Sequence, residues 1–255
     1  MARGPPWPLP CRRVRPLSLL AVIPARGGSK GLPRKALRPL AGRPLLAHTL
    51  ELAGRCSEID RTIVSTDDEE IAEVARSLGA DVPFVRPAEL AGDETPMWPV
   101  LRHALAEVDP DGSRFGELLL LQPTSPARLP EDVAAALALL AARPDADGVV
   151  AVSEPTFNPL WSAVVERDGV LAPLVPGAGG YARRQDVPRV LRINGLLYLW
   201  RAAFVRAHEE DPAETAVRAA LELPDRRAID IDTAEDLELA ELLLREGLIR
   251  LPWLE

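Results

Sequence analysis

Two groups of residues in this sequence are equipped for chemistry rather than packing. The first is AVIPARGGSKGLPRK at 21–35, where Arg26, Lys30, Arg34 and Lys35 are interleaved with Gly27, Gly28, Ser29 and Gly31. Glycines let a backbone approach a ligand closely, and N–H groups in such a loop can point at an anion. Arg and Lys side chains neutralise phosphate. The second group is AIDIDTAED at 228–236, which carries Asp230 and Asp232. In an extended segment alternate side chains share a face, so the two carboxylates face one way and Ile229 and Ile231 the other, toward a core. Paired carboxylates suit Mg²⁺, which takes one or two from the protein and completes its shell with water and substrate phosphates. A cationic phosphate loop with an Asp-x-Asp pair points to metal-assisted phosphoryl or nucleotidyl transfer. Simpler readings stand beside this one. The loop is also what a solvated basic turn looks like, and Asp232 is also a candidate helix cap, although that leaves Asp230 unexplained. The loop is neither a Walker A sequence nor a G-x-G-x-x-G turn.

The rest of the chain limits the partners. It has 255 residues, 47% hydrophobic and 27% charged, with a formal net charge of −8. That is globular composition, long enough for one large domain. An acidic chain lacks the basic surface that nucleic acid or an anionic membrane requires, so neither is expected as a partner. No apolar run approaches the roughly 18–20 residues of a membrane span. Cys11 and Cys56 form no metal or disulfide pattern, which makes a reducing cytoplasm the expected location. Residues 1–16, MARGPPWPLPCRRVRP, are basic and broken by proline. They read as a disordered tail or a mis-started N-terminus, without the apolar core of a signal peptide.

The elements that must position the two groups alternate along the chain. Apolar runs predict strands at 17–23, 59–65, 81–85, 117–122, 147–152 and 196–200. Helical spacing predicts helices at 43–56, 68–79, 96–108, 130–142 and 232–247. Asp67 or Thr66 is expected to cap the second helix, and Asp232 or Thr233 the last. Such alternation means an α/β fold with a mostly parallel, helix-covered sheet. Residues 17–250 read as one domain, with an inserted arm around 153–193 and 205–225. Ligands bind beyond the carboxyl ends of strands in such sheets, and the loop at 24–37 lies at one of those ends. His48, His103 and His208 form no triad or zinc set and read as packed, capping or solvated residues. Ser125 is not in a nucleophile elbow.

An ordered series of motifs carries a resemblance: IPARGGSKGLPRK (23–35), VSTDDEEIA (64–72), VPFVRPAELAGDET (82–95), LLLQPTSPAR (119–128), RRQDVP (183–188), ING (193–195) and IDIDT (229–233). From about Leu20 to Leu244 the chain resembles the acylneuraminate cytidylyltransferases, which activate sialic acid and related nonulosonic acids. The resemblance implies a Rossmann-like nucleotide-diphospho-sugar transferase (GT-A-type) fold, a homodimer with a small dimerisation arm, and Mg²⁺ as cofactor. It also implies CTP and a nine-carbon sugar acid as substrates, giving a CMP-sugar and pyrophosphate. On the motif match, Arg26, Ser29, Lys30 and Lys35 would hold the CTP phosphates, with Ala25 and Gly27 close to base and ribose. Arg86 would line the nucleotide site. Gln122 would contact the sugar acid, and Arg184, Gln185 and Tyr198 would line the sugar end. Asp230 and Asp232 would hold the metal. Arg26, Lys30, Lys35 and Asp232 are the candidate catalytic residues, Asp232 also as proton acceptor.

The chain departs from the family pattern in three places. Ala36 follows Lys35 where relatives carry Asn, Ala127 stands where they carry Leu, and HEEDPAETA (208–216) lacks an aromatic pair that can wall the sugar pocket. A different sugar acid of the Kdo type, a sugar phosphate, or a non-catalytic nucleotide-binding role remain the alternatives.

Overall fold

The computed structural model describes residues 18–177, 180–181 and 183–254; the tail expected at 1–16 lies outside the described residues. In chain order the elements are β1 (Ser18–Pro24), β2 (Pro39–Leu40), β3 (Arg43–Pro44), α1 (Leu45–Arg55), β4 (Ile59–Ser65), α2 (Glu69–Ser77), α3 (Met97–Val108) and β5 (Phe115–Leu120). They continue with α4 (Pro130–Ala142), β6 (Gly148–Ser153), α5 (Pro159–Ser162), β7 (Val164–Arg167), β8 (Val170–Pro173), β9 (Arg192–Arg201), α6 (Ala202–Ala207), β10 (Arg218–Glu222) and α7 (Ala234–Arg245).

Six strands form the central sheet in the order β10-β6-β9-β5-β1-β4. β1 runs parallel to both β4 and β5, and β6 parallel to β10. Only β9 is antiparallel to its neighbours β5 and β6. β1 is buried along nearly its whole length, as a central parallel strand covered on both faces must be. Its alternate residues serve two cores. Leu19, Ala21 and Ile23 pack with apolar residues of α1, α2 and α4. Leu20 and Val22 pack with Trp98, Leu101 and Leu105 of α3 and with Ala202 and Val205 of α6. The period of two along the strand therefore builds a three-layer α/β/α sandwich.

Three local expectations change. No strand forms at 81–85; only Asp81 bridges to Ile63. Pro83 has no N–H to offer a ladder. The cap of α2 is Asp68, whose side chain accepts from the Ile71 amide at 3.1 Å, rather than Asp67 or Thr66. β10, within the 205–225 stretch, joins the main sheet as its edge strand. In the 153–193 region, β7 and β8 pair as a hairpin. Asp168 (φ 53°) and Gly169 (φ 76°) make its turn, the left-handed pair that a two-residue hairpin favours.

His48 is a core residue. Its Nε2 donates to the Leu40 carbonyl at 2.8 Å, and its Nδ1 accepts from the Trp253 indole N–H at 2.8 Å. Acceptance at Nδ1 requires the neutral ring, here the Nε2–H tautomer, and burial lowers its pKa below the usual value. The imidazole thereby ties α1 to the segment at 249–254.

Candidate active site

The carboxyl ends of β1 and β5 open into a cleft of about 340 Å³. As the chain leaves β1 it remains attached to β4: the Ala25 amide donates to the Ser65 carbonyl at 3.0 Å. The Gly27 amide then donates to Asp67 Oδ1 at 3.1 Å, so Asp67 holds the loop rather than a helix end. At Gly31 the loop meets the Asp-x-Asp segment so closely that an added Cβ would lie 2.6 Å from the Asp232 carbonyl oxygen. A glycine is required there by close approach.

The cations of the loop point different ways. Arg26 and Lys35 line the cleft. Arg26 donates to the Gly92 carbonyl at 2.8 Å and pairs with Asp93 at 3.2 Å. Lys30, 81% exposed, stands at the rim and pairs with the same Asp93 at 3.1 Å. Lys35 pairs with Asp232 at 2.5 Å. Arg34 turns outward to Asp68 and Glu70, at 3.1 and 2.6 Å. Arg86 is buried under the cleft, donating to the Ser65 carbonyl at 2.5 Å and to Leu90 at 3.4 Å. Burial lowers its pKa, against the opposing charge of Asp67. Its Nε has no partner among the described residues.

At the opposite wall Ile229 and Ile231 are buried while Asp230 and Asp232 face the cleft. The segment is held by the Ile231 amide, which donates to the Thr124 carbonyl at 2.9 Å. Thr233 caps α7 reciprocally with Asp236, so neither Asp230 nor Asp232 is consumed as the cap. Burial away from water pushes the Asp230 carboxyl up, with the neighbouring Asp232 charge adding to this; the Thr124 hydroxyl and Lys35 pull it down. The donor set fits Mg²⁺. It offers two hard carboxylates open to the cleft, and no cluster of three or more metal-binding side chains exists among the described residues. A cation here would take the rest of its shell from substrate and water, as Mg²⁺ does.

The cleft thus collects Ala25, Arg26, Ser29, Lys35, Arg86, Gln122, Asp230 and Asp232. Gly27 and Lys30 flank it. Tyr198 does not line it: on β9 it pairs opposite Leu120 and Val150. Burial raises its hydroxyl pKa, with the charges of Asp230 and Asp211 adding to this. Gln185 lines a separate groove with Glu154, Asn158 and Arg189, and Arg184 opens the 3₁₀ turn Arg184–Asp186. Residues not singled out from sequence also line the cleft: Asp93, Thr95 and Thr124 are polar, while Leu90, Met97 and Val100 form an apolar wall together with Ala36, the residue that stands where relatives carry Asn. Asp93 lies inside the quoted AGDET motif, but nothing about its type marked it as the partner of the loop cations.

A mostly parallel sheet with a cationic loop and an Asp-x-Asp pair at its carboxyl edge has the architecture of a nucleotidyltransferase. The same fold occurs in the solved structure of CMP:2-keto-3-deoxy-manno-octonic acid synthetase complexed with CTP. The TM-score is 0.68 at 20% identity, covering 90% of this chain and 99% of that one. The chain belongs to the cytidylyltransferase family, whose sequence profile matches residues 20–249. It is 34% identical over 233 residues to the CMP-N,N'-diacetyllegionaminic acid synthase of Legionella pneumophila, covering 89% of this chain and 97% of that protein. It is 29% identical over 227 residues to the pseudaminic acid cytidylyltransferase of Campylobacter jejuni, covering 89% and 96%. No helix among the described residues is long and apolar enough to cross a membrane.

Proposed function

We propose that this protein transfers CMP from CTP to the anomeric hydroxyl of a sialic-acid-like nonulosonic acid, releasing pyrophosphate. The observation that carries this reading is the meeting of Arg26, Ser29 and Lys35 with Asp230 and Asp232 across one cleft. The relatives named for legionaminic and pseudaminic acids support the acceptor class.

In the reaction the anomeric oxygen bonds to the α-phosphorus, the bond from that phosphorus to the β-phosphate bridge breaks, and the hydroxyl proton leaves. Arg26, Lys30 and Lys35 hold the triphosphate and stabilise the charge that grows on its oxygens. Asp230 and Asp232 would hold Mg²⁺, which when bound supplies further charge neutralisation at the phosphoryl oxygens and acidifies a nearby hydroxyl. Asp232 accepts the proton. Ala25 and Gly27 keep the backbone close to the nucleoside, and Gln122 faces the sugar acid.

The exposed Trp161, Val164, Val170 and Leu171 of the arm support a homodimer in which a second copy covers them; light scattering during gel filtration measures this. The acidic composition of the chain fits an enzyme that draws on cytoplasmic CTP.

The test is pyrophosphate release with Mg²⁺ and each of CTP, UTP, GTP and ATP, offered with N-acetylneuraminic, legionaminic, pseudaminic and Kdo-type acids. The expected result is turnover with CTP and a nine-carbon acid. A folded sample that binds CTP and turns over none of these acids would overturn the reading.

A further inference from the structure

Arg128 is the largest fully buried side chain among the described residues, at 0% exposure. A buried guanidinium is costly unless its N–H groups find acceptors. Here Nη2 donates to the Gln122 carbonyl at 2.8 Å and to Thr49 Oγ1 at 2.9 Å, and Nη1 donates to the Leu196 carbonyl at 3.2 Å. The neighbouring Asp132 is engaged elsewhere, paired with both terminal nitrogens of Arg227 at 2.7 and 2.9 Å. Arg128 therefore spends its terminal donors on backbone and hydroxyl oxygens from three separate segments, while its buried Nε has no partner among the described residues.

One of those segments lines the cleft, and a second packs against its lining. Gln122 lies just beyond β5 and lines it. Leu196 follows Gly195, where β9 turns with φ 77° and its register with β6 shifts. An added Cβ at Gly195 would lie 3.3 Å from Ser125 Oγ, 3.9 Å from Gln122 Oε1 and 4.0 Å from Asp230 Oδ2. The bulge of β9, Gln122 and the Asp-x-Asp segment thus converge at one end of the cleft. Ser125 Oγ and Asn194 Nδ2 are buried beside that junction without partners among the described residues. Among the described residues, the arginine fork is the one side chain bonded to both β9 and the segment that follows β5 there.

We infer that Arg128 is a positioning residue for the acceptor end of the cleft: by bonding the Gln122 and Leu196 carbonyls together it sets where Gln122 stands relative to Asp230. This rests on the proposed acceptor chemistry for its kinetic consequence, but not for its geometric one. Arg26, Ser29, Lys30 and Lys35, the proposed triphosphate contacts, make no bond to Arg128, so nucleotide binding is expected to be independent of it.

The experiment compares wild type with Arg128→Met, Arg128→Lys and Thr49→Val in the full chain. A displacement of about 1 Å at a reacting centre costs roughly 10- to 100-fold. Arg128→Met is expected to raise the KM of the sugar acid or lower kcat by that factor, with CTP affinity within about twofold of wild type, as for independent sites. Arg128→Lys, the variant to use if the methionine does not fold, is expected to do the same, because an ammonium lacks the fork that reaches both strands. Thr49→Val removes the third acceptor, away from the cleft, and is expected to leave the sugar-acid KM unchanged. Unchanged sugar-acid kinetics in both Arg128 variants, or a parallel loss of CTP affinity and sugar-acid turnover, would overturn the inference. If wild type binds CTP yet turns over no sugar acid, the functional reading fails, and crystal structures of wild type and Arg128→Lys then decide. Separation of the Gln122 and Leu196 carbonyls with an intact sheet supports the inference, and an unmoved Gln122 sinks it.

Discussion

Lys35 Nζ lies 2.5 Å from Asp232 Oδ1, a contact between residues 197 positions apart. It joins the cationic loop to the Asp-x-Asp pair, each neutralising part of the other's charge. Asp232→Asn is therefore expected to free Lys35 for phosphate, keeping CTP binding measurable in the absence of metal, while turnover falls by ~10²-fold or more, the usual cost of losing one preorganised electrostatic contact. Lys35→Ala is expected to weaken both binding and turnover. Calorimetric CTP titrations with and without Mg²⁺, set beside pyrophosphate release, separate the two; retained turnover in Asp232→Asn removes its catalytic role.

Asp93 holds Arg26 and Lys30 at 3.2 and 3.1 Å, in the place where the triphosphate is proposed to bind. These pairs are partly exposed, and exposed ion pairs are worth about 0.2–1 kcal/mol each. Releasing them is a modest cost to an incoming anion. Asp93→Asn is expected to tighten CTP binding by roughly two- to fivefold at low salt, with the gain fading as salt screens it. CTP affinity measured at two ionic strengths checks this. Weaker binding in the variant would show that Asp93 assists the nucleotide rather than competing with it.

His48 is held neutral, with its folded-state pKa below the ordinary 6.5. The unfolded chain therefore binds the proton more readily. The associated stability is fully present above about 6.5 and is lost as pH falls through that value toward the lower folded one. Unfolding midpoints in urea are expected to drop between pH 7.5 and 5.5, and His48→Gln, though less stable at pH 7.5, is expected to show a shallower drop. Equal slopes in both proteins would assign the pH dependence to other groups.

Gly31→Ala places a methyl 2.6 Å from the Asp232 carbonyl oxygen, a backbone atom that cannot swing aside. The loop must move away from the Asp-x-Asp segment, which destabilises by about 1–3 kcal/mol and separates Lys35 from Asp232. Thermal unfolding measures the first effect and pyrophosphate release the second. Wild-type activity in this variant would show that the close approach is dispensable.

The strands and helices that build the frame were legible because their signals are local. The period of two at Ile229 and Ile231 placed both aspartates on the open face, and the apolar run of β1 marked a strand buried on both sides. Where local signals competed, they misled. The β-branched and aromatic residues at 81–85 looked like a strand, yet Pro83 leaves only the Asp81 bridge. Asp67 and Thr66 were the expected caps of α2, but Asp67 turned to the Gly27 amide and the next residue, Asp68, took the cap at Ile71.

The amino-acid sequence by itself determined the alternating α/β frame, the placement of a cationic loop at the end of its first strand, and the presence of two carboxylates on one face. Residue type and short spacing are enough for each. Only the tertiary structure decided that Lys35 meets Asp232, that Asp93 neutralises Arg26 and Lys30, that Tyr198 and Gln185 lie outside the cleft, and that Arg128 binds β9 to the end of β5. Those relations join residues far apart in the chain, and no periodicity records which strand will lie beside which. Strand order and the insertion of antiparallel β9 set them, by bringing distant segments within hydrogen-bond reach.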